Sequence, residues 1–157
     1  MKRIFLLAAG IFSCLFLNAQ SSDDFVRSWE KGPDWLKDGV IYQVYPSSYK
    51  DSDGNGIGDI RGVISKLDYI ESLGVRAIWF NPLFVSGWID GGYDVIDFYR
   101  VDPRFGTNND LVELIEKAHA RGIKVMLDLV AGHTSDKHPW FLQSAQDSNL
   151  QYSDYYI

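Results

Sequence analysis

The stretch Ile123-Lys-Val-Met-Leu-Asp-Leu-Val-Ala-Gly-His-Thr-Ser135 joins a short apolar strand to a set of polar side chains. Asp128 follows the apolar residues directly, and His133 lies five residues beyond it. The parallel strands of α/β barrels carry their chemistry at the carboxyl ends, where the following loops meet. An acid and an imidazole at the end of this strand therefore predict a functional edge on a parallel sheet.

Apolar periodicity extends this pattern towards the N-terminus. Three runs rich in β-branched and aromatic residues predict strands at residues 40–45, 75–80 and 124–129, and a long loop is expected at 87–93. Two segments with helical spacing separate the strands. The first has apolar residues at Val63, Leu67 and Ile70 and ends at Gly74. The second has them at Leu111, Leu114, Ile115 and Ala118, with Asn108 as N-cap and Gly122 at its end. This alternation predicts parallel strands with right-handed crossovers. A barrel and an open doubly wound sheet both satisfy it.

The first 19 residues have the features of an export signal. Lys2 and Arg3 precede an almost wholly apolar run at residues 4–16, and Ala19 offers a small residue for cleavage. The run is shorter than the roughly 20 residues that a membrane-spanning helix needs, so we expect export to the periplasm or the exterior without a stable membrane span. Residues 11–14 loosely match a lipobox, which leaves lipid anchoring through Cys14 as an alternative.

Charge and cysteine content restrict the class of protein further. The net charge is −6, and without Lys2 and Arg3 the remaining 13 cations and 21 acids give −8. Such an acidic chain without a basic patch argues against a nucleic-acid partner, because phosphates are bound by clustered Lys and Arg. Cys14 is the only cysteine, so the exported protein has neither a disulfide nor a Cys-based metal site.

Residues 51–59 place oxygen ligands at every second position. The side chains are those of Asp51, Asp53, Asn55 and Asp59, with the carbonyl of Ile57 between the last two. Oxygen ligands in this alternation, with glycines that allow tight curvature, predict a calcium loop. It is not an EF-hand, because position 12 is Gly62 instead of Glu. The alternative is a solvated Asp/Gly turn without metal.

These segments, together with Trp79-Phe-Asn-Pro82 and Asp90-Gly-Gly-Tyr-Asp94, resemble the α-amylase superfamily, glycoside hydrolase family 13, in order from about residue 35 to 157. The resemblance implies an α/β fold, the first three strands of a TIM (β/α)8 barrel at residues 38–133. A lead-in at 20–37 would precede the barrel, and an inserted domain B would begin at 134–157. Residues 51–59 are similar to the calcium loop of the oligo-1,6-glucosidase and trehalose synthase branch.

The resemblance also implies part of a −1 sugar subsite, where the ring on the non-reducing side of the cleaved bond lies. His133 would hydrogen-bond that sugar, Tyr93 would stack beneath its ring, and Asp128 would orient the subsite. Asp90 falls where exo-acting α-glucosidases hold the non-reducing-end hydroxyls. A second calcium is not expected, because Gly132 replaces the Asn ligand that many family members have before the histidine.

The predicted function is that of an exported retaining α-glycosidase, of the α-glucosidase or α-amylase type, acting on α-glucans or α-gluco-oligosaccharides. Retaining enzymes need a nucleophile and a general acid/base. In the resembled family these groups lie on the fourth and fifth strands, beyond Ile157, so the 157-residue chain is expected to be inactive by itself. Two alternatives remain: a non-catalytic sugar-binding relative, and a small calcium-binding secreted protein whose barrel resemblance is incidental.

Overall fold

The computed structural model describes residues 32–146 and 151–156. The predicted signal, Cys14 and most of the predicted lead-in lie outside the described residues. The elements are α1 (Asp34–Lys37), β1 (Ile41–Val44), α2 (Pro46–Tyr49), α3 (Ile60–Ile64), α4 (Leu67–Ser72), β2 (Ala77–Phe80), β3 (Phe84–Ser86), β4 (Val95–Val101), α5 (Asn108–Ala120), β5 (Lys124–Leu127), α6 (Pro139–Ser144) and a 3-10 turn at Ser153–Tyr155. Over these two ranges, no helix combines the length and the apolar character needed to cross a membrane.

The three predicted strands form one parallel sheet in the order β1-β2-β5. Ala77 of β2 aligns with Ile41 on one side and with Lys124 on the other. At the opposite end of the strands, Phe80 aligns with Val44 and Leu127. All three strands therefore end at one edge, which confirms the parallel arrangement and places the loops after them side by side.

The core lies between this sheet and the helices that cross over it. Ala77, Ile78 and Phe80 of β2 are fully buried, as expected for the central strand of a parallel sheet. The helices contribute Ile60 and Val63 from α3, Leu67 and Ile70 from α4, and Leu114 and Ala118 from α5, all of them fully buried. Burying each large aliphatic side chain stabilises the fold by about 1.5–3 kcal/mol. The sequence periodicity identified all of these helix positions except Ile60.

The single helix predicted around Val63, Leu67 and Ile70 is wrong, because the structure has two helices there. The first, α3, ends at Ile64, and the second, α4, begins at Leu67. The Ser65 hydroxyl donates to the Gly62 carbonyl at 2.6 Å, a local bond that competes with the helical ladder. Both short helices still direct their apolar residues into the same core, so the predicted burial of these residues is correct although the single helix is not.

Two further features correct the sequence prediction. An antiparallel pair of strands, β3 and β4, flanks the predicted loop at 87–93, and the periodicity did not reveal it. The N-cap of α5 is Thr107 rather than Asn108, since Thr107 and Asp110 form a reciprocal capping box. The Asn108 side chain instead accepts from the Val101 amide at 2.8 Å and donates to the Tyr99 carbonyl at 2.9 Å, which fastens β4 to the helix.

Candidate functional site

A hydrogen-bonded network covers the carboxyl edge of the parallel sheet. At its centre is Asp128, directly after β5, which accepts from the Trp79 indole nitrogen at 2.6 Å on Oδ1. The Tyr93 hydroxyl donates to Oδ2 of the same carboxylate at 2.8 Å. Both oxygens of Asp128 are therefore held by side chains from β2 and from the loop at 87–93. The structure thus brings together two of the four predicted sugar-site residues.

The network continues from Tyr93 to the other edge strand. The side-chain amide of Asn81 donates to the Tyr93 hydroxyl at 3.1 Å, and Gln43 of β1 donates to the Asn81 side-chain oxygen at 3.1 Å. Neither Gln43 nor Asn81 was predicted as a site residue. The available signal was their position, since Gln43 lies on the predicted first strand and Asn81 directly follows the second. Polar residues at strand ends on one edge are expected to meet.

Tyr93 is held as a neutral phenol. Its hydrogen bond to the Asp128 carboxylate, together with burial, raises the pKa of Tyr93, and the hydrogen bond from Asn81 opposes that rise. Because the ordinary pKa of tyrosine already lies near 10, the hydroxyl remains protonated in neutral solution. The phenol can therefore act there as a hydrogen-bond donor to Asp128 and as an acceptor from Asn81.

Asp90 lies at the exposed tip of the loop at 87–93. One of its carboxylate oxygens accepts from the Asp94 amide at 2.7 Å, and the chain turns at Gly91 and Gly92, both with positive φ. The Asp94 carboxylate points back into the loop, where it accepts from the Ser86 hydroxyl at 3.2 Å. Burial raises the pKa of Asp94, but hydrogen bonds with the Asp90 side chain, the Ile89 amide and the Ser86 hydroxyl outweigh it and hold the pKa below its ordinary value. The loop is thus closed on itself while Asp90 stays open to solvent.

Trp88 fixes the base of this loop, a role that sequence reasoning missed. It has a positive φ of 58°, a strained backbone conformation for a bulky residue. Its indole nitrogen donates to the buried Asp102 carboxylate at 2.8 Å, and the Arg104 guanidinium lies 3.8 Å from the ring centroid. The Phe105 ring packs edge-on against it. These contacts hold the strained turn from which Asp90 projects.

His133 does not join the network. It is exposed, and within residues 32–146 and 151–156 it makes no hydrogen bond to Asp90, Tyr93 or Asp128. His133 lines a cleft of about 810 Å³ whose walls are mainly aromatic and apolar. The aromatic lining residues are Phe98, Tyr99, Trp140, Phe141, Tyr155 and Tyr156. An exposed imidazole at this cleft is free to approach a ligand.

The other histidine of this region has a structural role. His138 is buried and caps α6, accepting at its Nδ1 from the Trp140 amide at 3.1 Å. Its ring lies 4.5 Å from that of Trp140 and 5.7 Å from that of Phe98. Burial lowers the pKa of His138, which keeps the imidazole neutral as this capping bond requires.

The predicted metal loop is folded by its own side chains. Asp51 accepts from the amides of Gly54 at 2.7 Å and Gly56 at 2.8 Å. These backbone hydrogen bonds, the one from Gly56 first, hold the pKa of Asp51 below its ordinary value. The Asn55 side-chain oxygen accepts from the Ile57 amide at 2.8 Å. The segment therefore forms a compact coil with an ionised carboxylate at its centre.

Three of the five predicted ligands converge. Asp51, Asp53 and Asp59 each bring a carboxylate oxygen within 4.8 Å of the others. Asp59 is buried and also caps α3, because it accepts from the Gly62 amide at 2.7 Å and the Ser52 amide at 2.8 Å. An all-oxygen donor set of this kind fits a hard cation such as calcium. Ligation of calcium by these three residues, and by Asn55 and Ile57, stays a prediction.

The loop is also attached to α2, the short helix after β1, and to Lys50, which directly follows that helix. The Gly58 amide donates to the Ser47 carbonyl at 2.8 Å, and the Asp59 amide donates to the Lys50 carbonyl at 3.0 Å. Gly62 lies so close to the same Lys50 carbonyl that a β-carbon could not be placed there. The metal loop and helix α2 therefore form one packed unit.

Comparison with known proteins identifies the family. The family description "Alpha amylase, catalytic domain" fits residues 43–157. Oligo-1,6-glucosidase from Heyndrickxia coagulans is 48% identical over 124 residues, which are 79% of this chain and 22% of that protein. Trehalose-6-phosphate hydrolase from Escherichia coli (strain K12) is 48% identical over 125 residues, 80% of this chain and 22% of that protein. The crystal structure of Bacillus licheniformis trehalose-6-phosphate hydrolase (TreA) matches with a TM-score of 0.77 at 50% identity, covering 80% of this chain and 22% of that one.

The likeness therefore extends over most of this chain and over about a fifth of its relatives. It decides between the two architectures that the alternation of strands and helices left open, in favour of the barrel. It also removes the alternative in which the barrel resemblance is incidental, because the identity is high along 124 residues. The chain belongs to the α-amylase family, glycoside hydrolase family 13, and its three-stranded sheet is the N-terminal portion of that family's TIM barrel.

Proposed function

We propose that this chain is the sugar-binding N-terminal segment of an exported retaining α-glycosidase of the α-glucosidase type, acting on α-glucans or α-gluco-oligosaccharides. The observation that carries the proposal is the Asp128–Tyr93 hydrogen bond of 2.8 Å at the carboxyl edge of the sheet. Barrel enzymes assemble their active sites at that edge. The relatives that match the chain are named as an oligo-1,6-glucosidase and a trehalose-6-phosphate hydrolase, which supports an α-glucoside as substrate.

Each site residue has a distinct task in this proposal. Tyr93 presents its ring to the sugar, and Asp128 holds Tyr93 in place, since both Asp128 oxygens are already engaged by protein donors. Asp90, exposed at the loop tip, accepts hydroxyl hydrogens at the non-reducing end of the substrate. A carboxylate that pairs with sugar hydroxyls discriminates strongly against ligands lacking them. His133 donates a hydrogen bond to the sugar from the cleft that it lines.

Turnover is the test of this function. The full-length protein that contains this segment is incubated with p-nitrophenyl α-glucopyranoside, and the anomeric form of the released glucose is followed by NMR. We expect α-glucose as the first product, because retention follows from a covalent glycosyl-enzyme intermediate. The 157-residue chain assayed in parallel is expected to show no turnover. Turnover by that chain, or sugar binding without turnover by the full-length protein, would contradict the proposal.

Export is proposed from residues 1–19 alone. Cleavage after Ala19 leaves Gln20 as the first residue, whereas lipid anchoring leaves a modified Cys14. Mass spectrometry of the N-terminal peptide from the source organism distinguishes these outcomes. An unprocessed Met1 in the major species would contradict both.

We also propose that the loop at 51–59 binds calcium. Asp51, Asp53 and Asp59 already converge, and hydrogen bonds from Gly58 and Asp59 to the carbonyls of Ser47 and Lys50 hold the last residues of the loop in place. A bound ion would offset the repulsion between these carboxylates and tie the loop to the start of α3, which Asp59 caps. Its role in this proposal is structural, because the loop supplies no group to the network around Asp128.

Calcium is expected to stabilise the full-length protein measurably. At a free concentration ten times the Kd, the free energy of unfolding should rise by about 1.4 kcal/mol relative to protein in EDTA. Calorimetric unfolding with and without calcium measures this difference. Asp53→Asn, which removes one exposed carboxylate charge from the loop, should reduce the response, whereas Glu116→Gln, the same acid-to-amide change at an exposed position of α5, should leave it unchanged. Equal unfolding temperatures in calcium and in EDTA would show that the loop binds no metal.

A further inference from the structure

The hydrogen bonds that join Gln43, Asn81 and Tyr93 have a fixed direction. Gln43 donates through Nε2 to Oδ1 of Asn81, and Asn81 donates through Nδ2 to the Tyr93 hydroxyl. A carboxylate can only accept, so the remaining hydroxyl proton of Tyr93 is directed at Asp128. The Trp79 indole, which can only donate, occupies the other oxygen of Asp128. Every donor in this chain of bonds meets an acceptor.

We propose that Gln43 and Asn81 are positioning residues: by donating in sequence towards Tyr93 they keep its hydroxyl proton directed at Asp128 and thereby hold Tyr93 against the −1 sugar. This inference rests on the proposed α-glycosidase function. A side-chain amide has one accepting end and one donating end, and its orientation is decided by its partners. Gln43 engages the accepting end of Asn81, so only the donating end is left to face Tyr93.

The Tyr93 hydroxyl has no proton left to donate to a sugar. A phenol has one proton, and that proton is committed to Asp128 at 2.8 Å. Tyr93 therefore meets the sugar with its ring and not with a donated hydrogen bond. The hydrogen bonds from Gln43 to Asn81 and from Asn81 to Tyr93, called the relay below, also link β1, β2 and the end of β5. A change at Gln43 on β1 is therefore expected to alter the placement of the Tyr93 ring.

A substitution at Gln43 that makes the Asn81 amide turn around tests the relay. Gln43→Glu removes the donor to Asn81, and the Asn81 amide is then expected to turn its donating end towards the new carboxylate on β1. The accepting end of Asn81 would face the Tyr93 hydroxyl and compete with Asp128 for its proton. We expect kcat on p-nitrophenyl α-glucopyranoside to fall about tenfold, the scale of a disrupted hydrogen bond, with a smaller change in KM. Gln143→Glu, which changes an exposed amide on α6, is the matched control and should retain wild-type rates.

A spectroscopic measurement separates this role from general destabilisation. With 3-fluorotyrosine in place of Tyr93, 19F NMR follows the ionisation of that phenol directly. Loss of donation from Asn81 should make ionisation about tenfold weaker in both Gln43→Glu and Asn81→Asp, because donation to the hydroxyl favours the ionised form. Gln143→Glu should not alter it. These readouts need no substrate.

The outcomes for the relay and for the enzyme are distinct. An unchanged phenol ionisation in both variants overturns the relay, whatever the kinetics. A shifted ionisation with wild-type kcat overturns the positioning role. An absence of turnover in the unmodified full-length protein overturns the proposed function, while the NMR titration still decides whether Gln43 and Asn81 control the Tyr93 hydroxyl.

Discussion

Replacing Asp128 with Asn is expected to lower kcat/KM on an α-glucoside by about 100-fold in the full-length protein. The indole of Trp79 can only donate, so the single oxygen of the new side-chain amide must accept from it, as Asp128 Oδ1 now does. The amide nitrogen would then face the Tyr93 hydroxyl, which already accepts from Asn81. Tyr93 would receive two donors and lose the acceptor for its own proton. Steady-state kinetics with p-nitrophenyl α-glucopyranoside measure the loss.

The control for this variant is Asp38→Asn, which makes the same chemical change at an exposed site. Asp38 precedes β1, at the opposite end of the parallel strands from Asp128, so the rates of its variant should equal those of the unmodified protein. Thermal unfolding of both variants shows whether kcat/KM falls because the site is disturbed or because the protein is less stably folded. A value of kcat/KM within threefold of wild type in a folded Asp128→Asn protein would contradict the role assigned to the network.

Replacing Gly62 with Ala is expected to reduce the free energy of unfolding by about 3 kcal/mol, through overpacking against rigid backbone. The new methyl group would overlap the Lys50 carbonyl oxygen, which is itself bonded to the Asp59 amide at 3.0 Å. Movement of either backbone segment would disturb the cap of α3 and the attachment of the metal loop. The displacement of the urea unfolding midpoint at constant slope measures the effect.

Gly132→Ala is the matched control for stability, because a methyl group at that glycine meets nothing within 4 Å. Its effect should lie within about 0.5 kcal/mol, as for other unhindered surface substitutions. Equal unfolding midpoints for the two alanine variants would show that α3 and the Lys50 backbone can move apart without cost. That result would remove the mechanical link between the metal loop and the end of β1.

The sequence predicted those parts of the fold in which local pattern and tertiary packing agree. The three strands were found because each is a run rich in β-branched and aromatic residues between turn residues, and the parallel order followed from their alternation with helices. The break at Ser65 was missed because a hydroxyl-to-carbonyl hydrogen bond leaves the apolar spacing of Val63, Leu67 and Ile70 unchanged. The β3–β4 pair was missed because Asp97 and Arg100 interrupt any alternation along β4.

Two of the candidate site residues could be selected from the sequence because they lie in motifs. Asp128 and Tyr93 lie in segments that resemble the family, and the structure joins them directly. Gln43, Asn81 and Trp88 were not predicted, because their importance depends on contacts between residues distant in sequence. Gln43 and Asn81 are 38 positions apart, and Trp88 bonds to a carboxylate 14 positions away. Such pairings appear only once strand register is known, since register decides which polar side chains meet.

The sheet order β1-β2-β5 has a consequence for how such a barrel is made. In the described residues, β1 and β5 each pair on one side only, with β2 between them. The free side of β5 can recruit the strand synthesised next, but a closed barrel can cover β1 only with a strand from the far end of the barrel sequence. Contacts across long sequence separations form slowly, because the entropy of loop closure is lost first. In a complete barrel we therefore expect β1 to be the last strand to become paired on both sides, and misassembly of nascent chains to begin at its edge.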